Sequence, residues 1–499
     1  MEAGGEGVSL VWFKMDLRTK DNPALSAATQ CGLPVVAMFL VNVPEWVGHD
    51  MAPIRAEFIM RNLDVLKGDL AALNIPLIIQ NVAGKADDAC DMVVTVAQTI
   101  GAKKVFFNIE FEVNEKRRDA KTRKILEGMN IEVHPFQDQC IVDPGTVRTN
   151  EGRVYTVFSP FKRKWYSIVH DNPHLLQSFP DPTPNQKGAL QQSILTYADQ
   201  HSTPPKDLAN LPYDPEKRAR AASNFPAGEH HAQSRLQHFI DHKSKVYHTT
   251  RDNLTADGTS SLSPYLSNGV LTIRQCVAAA VNANKGRLDS GDKGLTKWVD
   301  ELVWREFYRH ILVEFPRVSM SRPFKLETEA IPWLYDEEVF RRWCEGRTGY
   351  PIVDAGMRQL STVGWMHNRT RMITAMFLTK DLLINWQHGE RFFMQHLIDG
   401  DLANNNGGWQ WSASTGVDPQ PYFRIFNPRL QSVKCDPDGS YIRTWVPELG
   451  RLRGKAVHDP YGEMPRDAFM KLGYPAPIVD HKFARDRCLQ VFKKALKKG

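Results

Sequence analysis

The sequence predicts two domains of different class: an α/β N-terminal domain on a Rossmann-like parallel sheet, then, after a long connection, an all-helical C-terminal domain. Three observations predict it. Short β-branched runs alternate with amphipathic stretches over residues 8–136, Pro and polar residues dominate 171–213, and from about 229 apolar residues recur at helical spacing almost to the end. A chain of 499 residues exceeds one ordinary core. The boundaries expected are 1–140, a linker over 141–228, and 229–499.

Strands are predicted at Val8–Phe13, Pro34–Val41, Ile75–Val82, Lys104–Ile109 and Ile131–Phe136, with helices at Asn22–Ala28, Pro53–Leu73, Lys85–Thr99 and Asn114–Met129 between them. Strand–helix–strand alternation means parallel strands with helices on both faces. No Gly-x-Gly-x-x-Gly follows the first strand, and Gly84-Lys85 is followed by Ala86, so an ordinary dinucleotide or phosphate loop is excluded. Pro180-Asp181-Pro182-Thr183-Pro184 and Pro204-Pro205 mark a connection draped over the surface, with a helical piece at Pro160–Ile168. Further helices are predicted at His231–Tyr247, Ile273–Ala283, Lys297–Glu314, Asp336–Glu345, Ile352–Thr362, Arg369–Leu382, Gly389–Ile398 and Lys482–Lys494.

Hydrophobic content of 42% and charged content of 24% are those of a globular protein, and no apolar run reaches the roughly 18 residues of a membrane span. The N-terminus reads as no signal peptide. Seven scattered cysteines, none at Cys-x-x-Cys spacing, point to neither zinc nor a disulfide framework, and to a reducing intracellular compartment, cytoplasm or nucleus. A net charge of +6 permits nucleic-acid binding without demanding it. The tail Lys493-Lys494-Ala495-Leu496-Lys497-Lys498 reads as a solvated end or a nuclear address. Nine of the twelve Trp lie beyond residue 297, which ties the helical domain to indoles.

The densest chemistry falls in Leu397–Trp411, where Asp399 and Asp401, three consecutive Asn, two Gly and two Trp stand together. Asp, Asn and Gly disfavour regular structure, so this stretch is expected as a loop. It reads either as an Asn-Gly turn beside a core Trp pair or as a pocket for a flat polar aromatic ligand. Asp257–Leu266 supplies a Gly and four hydroxyls before a helix, a phosphate-binding run or an ordinary Ser cap before Pro264. On the helix Leu295–Phe315, Trp298, Glu301, Trp304, Arg305 and Tyr308 share one broad face; a carboxylate between indoles is poor core composition. A further helix near 365–377 presents Asn368, Arg371, Met372 and Ala375 together. Jointly these suit a large dinucleotide cofactor beside an aromatic-lined cavity.

Val11-Trp12-Phe13-Lys14-Met15-Asp16-Leu17-Arg18 with Asp21-Asn22-Pro23-Ala24-Leu25 resembles the opening of the photolyase/cryptochrome family. So do Gly258–Leu266, Trp304–Tyr308, Gly349–Leu360, Gly364–Arg369 and Asp399–Trp411, and the match covers almost the entire chain. The resemblance implies an α/β antenna domain, a helical FAD domain and a U-shaped, non-covalent FAD. It assigns FAD contacts to Tyr247, Thr259, Ser260, Ser261, Leu262, Ser263, Trp298, Glu301, Arg305, Asn368, Arg371, Asp399, Asp401 and Asn405, with Asn405 facing flavin N5. Asn368 and Met372 are similar to the class I enzymes that repair cyclobutane pyrimidine dimers, and Glu301, Trp304 and Trp411 match the residues around their dimer.

The activity that the resemblance implies is light-dependent repair of damaged DNA by electron transfer from excited, reduced FAD, in a monomer. Arg251, Arg305, Arg369 and Arg424 would meet DNA phosphates, and Trp333, Trp386 and Trp409 would relay electrons to oxidised flavin. His49, Asn114 and Glu115 resemble antenna positions of folate-binding members. The basic residue those members place before Arg-Pro-Phe is absent at Met320-Ser321, so the antenna chromophore stays open among a folate, a deazaflavin, another flavin and none. Lys14 replaces the usual Arg of the first motif, keeping the charge but losing a bidentate fork. The chief rival is a cryptochrome-type blue-light receptor with FAD; a FAD oxidoreductase for a diffusible substrate is disfavoured by the missing nicotinamide fingerprint.

Overall fold

A computed structural model describes residues 7–82, 84, 86–203, 214–418 and 421–496; Lys85, Pro204-Pro205 and Lys497-Lys498 lie outside the described residues, as do residues 1–6. The chain forms two compact units. One comprises residues 1–152, 163–240 and 261–289, the other 153–162, 241–260 and 290–499. Each unit thus gathers separated stretches of chain: of the linker expected over 141–228, residues 141–152 and 163–228 group with the first unit and 153–162 with the second, while 229–240 and 261–289, expected in the helical domain, group with the first. Among the described residues no helix is long and apolar enough to cross a membrane.

The first unit holds five parallel strands, β1 (Val8–Phe13), β2 (Val35–Val41), β3 (Leu77–Asn81), β4 (Ala102–Asn108) and β5 (Glu132–Phe136), in the order β3-β2-β1-β4-β5. Helices α1 (Pro23–Gln30), α2 (Val43–Gly48), α3 (Pro53–Ala72), α4 (Ala86–Thr99) and α5 (Val113–Gly128) accompany them. β1 and β2 are buried along their whole length, because helices cover both sheet faces; this is why they read as unbroken apolar runs rather than alternation. In register, Leu10 lies between Val36 and Val105.

The motif after β1 is a packing hub. Arg18 is 1% exposed and donates to Asp138 at 2.5 Å and to the carbonyls of Asp21 and Gly269 at 2.7 and 3.1 Å. Asp21 accepts from Thr272 at 2.7 Å and from Arg274. Asp16, bonded by Asn108 at 2.6 Å, is pushed up to about 6, burial being the main cause. Lys14 is partnered differently from an Arg fork: its Nζ donates to Asp119 at 2.6 Å and lies over the rings of Trp12 and Phe107.

The second unit is helical. Its main helices are α6 (Lys293–Glu314), α7 (Pro351–Val363), α8 (Asn368–Met376), α9 (Trp386–Met394), α10 (Leu402–Ala413) and α11 (His481–Leu496). Trp343, Met357, Phe377, Trp386, Phe393, Trp409 and Tyr441 form the heart of its core.

Four local expectations are corrected. Leu397–Trp411 is not a loop, since α10 occupies most of it. Asp401 caps that helix by accepting from Asn404 N at 3.0 Å, and buried partners absorb the amides that would otherwise compete with the backbone. The helix expected over Arg369–Leu382 stops at Met376; Phe377–Asp381 form a π-turn closed by Leu382 N–H to Phe377 O at 3.0 Å, with Lys380 and Asp381 both buried. No serine side chain caps the helix Ser263–Ser267, whose cap position is Leu262. The stretch 231–247 also breaks, its helix running Glu229–His242.

Candidate functional site

The candidate site of the second unit lies on α6, α8 and α10; α6 and α8 each pack against α10. The α6 helix starts where Asp292 accepts from the backbone N–H of Gly294 and Leu295 at 2.8 and 3.0 Å. Its inner face carries buried Trp298 and half-buried Glu301, Trp304, Arg305 and Tyr308. Close approach to α10 is possible because position 407 is Gly: a Cβ there would stand 2.2 Å from the Tyr308 ring.

Charges are paired across the helices. Arg305 and Arg309 converge on Asp401 at 2.8 and 2.5 Å. Burial pushes the Asp401 carboxyl up, but the two guanidinium groups and the Asn404 bonds outweigh it and hold it far below the usual carboxylate range. Arg371 pairs with Asp399 at 2.8 and 3.1 Å and donates through Nε to Met366 O at 2.8 Å. Glu301 is flanked by Arg251 and by Lys297 at 3.0 Å. Arg369 pairs with Asp252 at 2.5 Å. Of the four arginines expected at DNA phosphates, Arg251, Arg305 and Arg369 therefore already hold carboxylates, and Arg424 is exposed.

His367 begins α8. Its Nδ1 accepts from Arg369 N–H at 3.1 Å, which requires a neutral ring. Burial first, then Arg369, Arg371 and Arg251, keep it neutral by pushing it down to about 4, against the pull of Asp252. Asn368 is exposed and Met372 half-buried, so both are within reach of a ligand.

The three amides of α10 differ. Asn404 bonds Asp401 at 2.8 Å, Asn405 donates to Glu390 O at 3.0 Å, and Asn406 donates to Glu390 Oε1 at 2.8 Å and accepts from Gln410 at 2.8 Å. Trp411 is half-buried. Trp304 is half-buried too, but one face of its ring stacks on Phe158, centroids 3.7 Å apart at 9°. That stacking leaves only the other face for a ligand, which qualifies the sandwich expected between Trp304 and Trp411. Phe158, Asp252 and Glu390 are remote in sequence from the groups they meet, so local spacing gives no sign of them, whereas Arg309 stands one helical turn after Arg305 on α6 and could have been found by that spacing.

The three indoles expected to relay electrons, Trp333, Trp386 and Trp409, lie in one apolar body. Trp409 and Trp386 are each 2% exposed, and half-buried Trp333 packs against the same cluster. Gly389 on α9 lets the Trp409 ring in, since a Cβ there would meet it at 2.1 Å.

Tyr247 is buried, its phenol pushed up by burial and then by the Glu301 charge. Thr259 and Ser260 are half-buried in the second unit. Ser261, in the first unit, turns through the left-handed region at φ +50, followed by buried Leu262 and half-buried Ser263. The first unit also brings His49, Asn114 and Glu115 together. His49 Nδ1 lies 3.3 Å from Glu115 and Asn114 Nδ2 3.2 Å from His49 Nε2. Burial, then Glu112 and Glu110, push Glu115 up to about 8.

A parallel-sheet unit joined to a helical unit with an aromatic, amide-rich and charge-paired face defines a helical cofactor-binding protein. Residues 298–494 match the FAD binding domain of DNA photolyase, and residues 9–184 match DNA photolyase. Deoxyribodipyrimidine photo-lyase of Vibrio cholerae is 44% identical, covering 97% of this chain and 99% of that protein. A bacterial class III photolyase from Agrobacterium tumefaciens is similar with a TM-score of 0.84 at 32% identity, over 99% of each chain. A cryptochrome from Synechocystis gives 0.83 at 27% identity, over 98% of this chain and all of that one. The chain belongs to the DNA photolyase family.

The residues present fit FAD, the cofactor of that domain. In the second unit the hydroxyls of Thr259 and Ser260 suit phosphate and ribose oxygens, and the Arg371–Asp399 pair and Asn405 offer donors and acceptors to a polar ring edge.

Proposed function

We propose that the protein repairs cyclobutane pyrimidine dimers in DNA in the manner of a class I photolyase, with FAD held by Tyr247, residues 259–263, Trp298, Arg305, Arg371, Asp399, Asp401 and Asn405. Reduced FAD, when bound, supplies the light-excited electron that splits the dimer. The observation carrying this reading is the set Glu301, Trp304, Asn368, Met372 and Trp411, which stay within solvent reach on helices where Arg305, Arg309, Asn405 and Asn406 are bonded inward. Asn368 meets the base edges. Trp304 and Trp411 flank the bases, Trp304 by its one uncovered face. Glu301 is held at that place by Arg251 and Lys297 and, as a protonated carboxyl, donates to a pyrimidine carbonyl as negative charge develops there. A dimer stacks poorly, so drawing it from the duplex costs less than for intact bases. Arg424 and the other three arginines contact phosphates, with Asp252, Glu301 and Asp401 holding those three in position. Trp333, Trp386 and Trp409 reduce oxidised cofactor in light. His49, Asn114 and Glu115 hold an antenna chromophore. The protein acts as a monomer inside the cell.

The test is to reduce the purified protein, add an oligonucleotide with one thymine cyclobutane dimer, and follow recovery of base absorbance. Recovery under blue light and none in darkness is expected. No recovery from protein that carries photoreducible FAD would instead assign it to the cryptochrome-type receptors, the reading that the likeness to the Synechocystis protein favours second.

A further inference from the structure

Lys380 of the π-turn has no solvent exposure and, among the described residues, no carboxylate within bonding distance. Its Nζ donates to Ala413 O at 3.0 Å and to Ser414 Oγ at 2.9 Å, at the C-terminal end of α10. The ammonium also lies 3.9 Å from the centre of the Phe492 ring, whose own centre is 5.9 Å from that of Trp333. These two steps bring the charge within about 10 Å of the outermost relay indole. Backbone ties hold the arrangement, with Leu334 N–H bonded to Leu383 O at 2.8 Å just beyond the π-turn. Helix C-terminal carbonyls and an aromatic face attract a cation, but neither neutralises it.

We propose that Lys380 is a positioning residue for light-driven electron supply: its ammonium fastens the end of α10 and, while charged, opposes the electron deficit that Trp333 must carry. The proposal rests on the indole-relay reading above. In that relay Trp409 would supply one electron to bound FAD in light, Trp386 would refill Trp409, and Trp333 would refill Trp386. The deficit then stays on Trp333 until an added thiol returns one electron. A positive charge about 10 Å away in a poorly screened interior changes such an equilibrium on the order of tenfold.

The charge is titratable near neutrality. Burial pushes Lys380 down to about 7, with Lys325 pushing the same way and Cys488 on α11 opposing. Asp381, next in the turn, bonds His481 at 2.5 Å, and its carbonyl accepts from Arg487 at 2.5 Å. Burial, first, pushes the Cys488 thiol up to about 11.

The experiment compares FAD-loaded wild type, Lys380→Met and Lys380→Arg by transient absorption on the acid and alkaline sides of about pH 7. The lifetime of oxidised Trp333 in wild type is expected to be on the order of tenfold shorter on the acid side. Lys380→Met stays at the alkaline value at both pH values, and Lys380→Arg at the acid value. In parallel, the Lys380 side-chain resonance of wild type is followed by NMR and is expected to titrate near pH 7. A resonance that does not move, or a wild-type profile shared by both variants, overturns the proposal. If Lys380→Met does not fold, Lys380→Arg and the wild-type titration decide. Trp386→Phe separates the two readings: retained photoreduction brings down the relay and this proposal with it, whereas lost photoreduction with an unaltered Lys380 profile brings down the proposal alone.

Discussion

At the residue scale the site depends on groups held in one protonation state. His367 can cap α8 only as a neutral imidazole. The folded ring resists protonation until about pH 4, whereas an exposed one takes a proton near 6.5. Between those values the unfolded chain binds more protons, so stability falls as pH is lowered through the window. The loss approaches about 3 kcal/mol at its acid end. His367→Asn keeps a capping oxygen without a titrating ring. Urea midpoints at pH 7 and pH 5 are expected to converge in this variant and to diverge in wild type. Asp401 has the same sign in a lower window: its folded pKa lies below the usual 3.8, so its contribution is present above that value and is lost as pH falls through the folded pKa. Arg371→Ala leaves Asp399, a carboxylate 2% exposed in its side chain, without its cation. Breaking such a pair typically costs about 3–5 kcal/mol. We expect the ratio of FAD to protein after purification to fall severalfold, while the circular dichroism of the helices is retained.

At the element scale, what the sequence carried locally was legible and what it carried through distant partners was not. Strand β1 and helix Ile273–Ala283 begin and end where their apolar pattern and caps say, since covered strands and a Thr272 capping box are written in adjacent residues. Helix α10 was unreadable: Asp-Leu-Ala-Asn-Asn-Asn-Gly-Gly has low helix propensity, and only Glu390, Arg305 and Arg309, all remote in sequence, make those amides and that carboxylate at home in a helix. The π-turn was hidden for a like reason, because the pattern over Arg369–Leu382 is that of one helix and buried Lys380 and Asp381 find their partners on α10 and α11. Among candidate site residues, Arg371 pairs with Asp399 and His49 lies beside Glu115, while the Phe158 stack on Trp304 left no local trace. The fit between α9 and α10 makes a direct test. Gly389→Ala sets a methyl 2.1 Å from the Trp409 ring, which an enclosed indole has no room to avoid. Overpacking of this kind costs about 1–3 kcal/mol. A lower melting temperature is expected, together with altered tryptophan fluorescence; an unchanged melt would mean that the ring is free to move.

At the scale of the whole molecule, the proposed function puts the supply of electrons to the cofactor and their use on DNA on different residues, and one substitution should separate them. Trp386 is 2% exposed, in the core cluster it shares with Trp409, and the groups proposed to meet the dimer are Glu301, Asn368, Met372 and the two half-buried indoles Trp304 and Trp411. Trp386→Phe removes a readily oxidised ring and keeps an aromatic filler, so the core loses volume but no buried polar partner. Light-driven reduction of oxidised FAD is then expected to drop by at least about tenfold, because electron transfer must skip the middle of the chain. Repair by chemically reduced enzyme is expected to stay within about twofold of wild type, since that path draws no electron from the indoles. Asn368→Ala should do the reverse, lowering repair by chemically reduced protein while photoreduction and FAD content hold. Loss of repair in reduced Trp386→Phe would place that indole in the dimer chemistry, and loss of FAD from Asn368→Ala in proportion to activity would make Asn368 a cofactor ligand alone. The opposed pair of outcomes is the signature of one protein that charges its cofactor through its core and spends the charge at its surface.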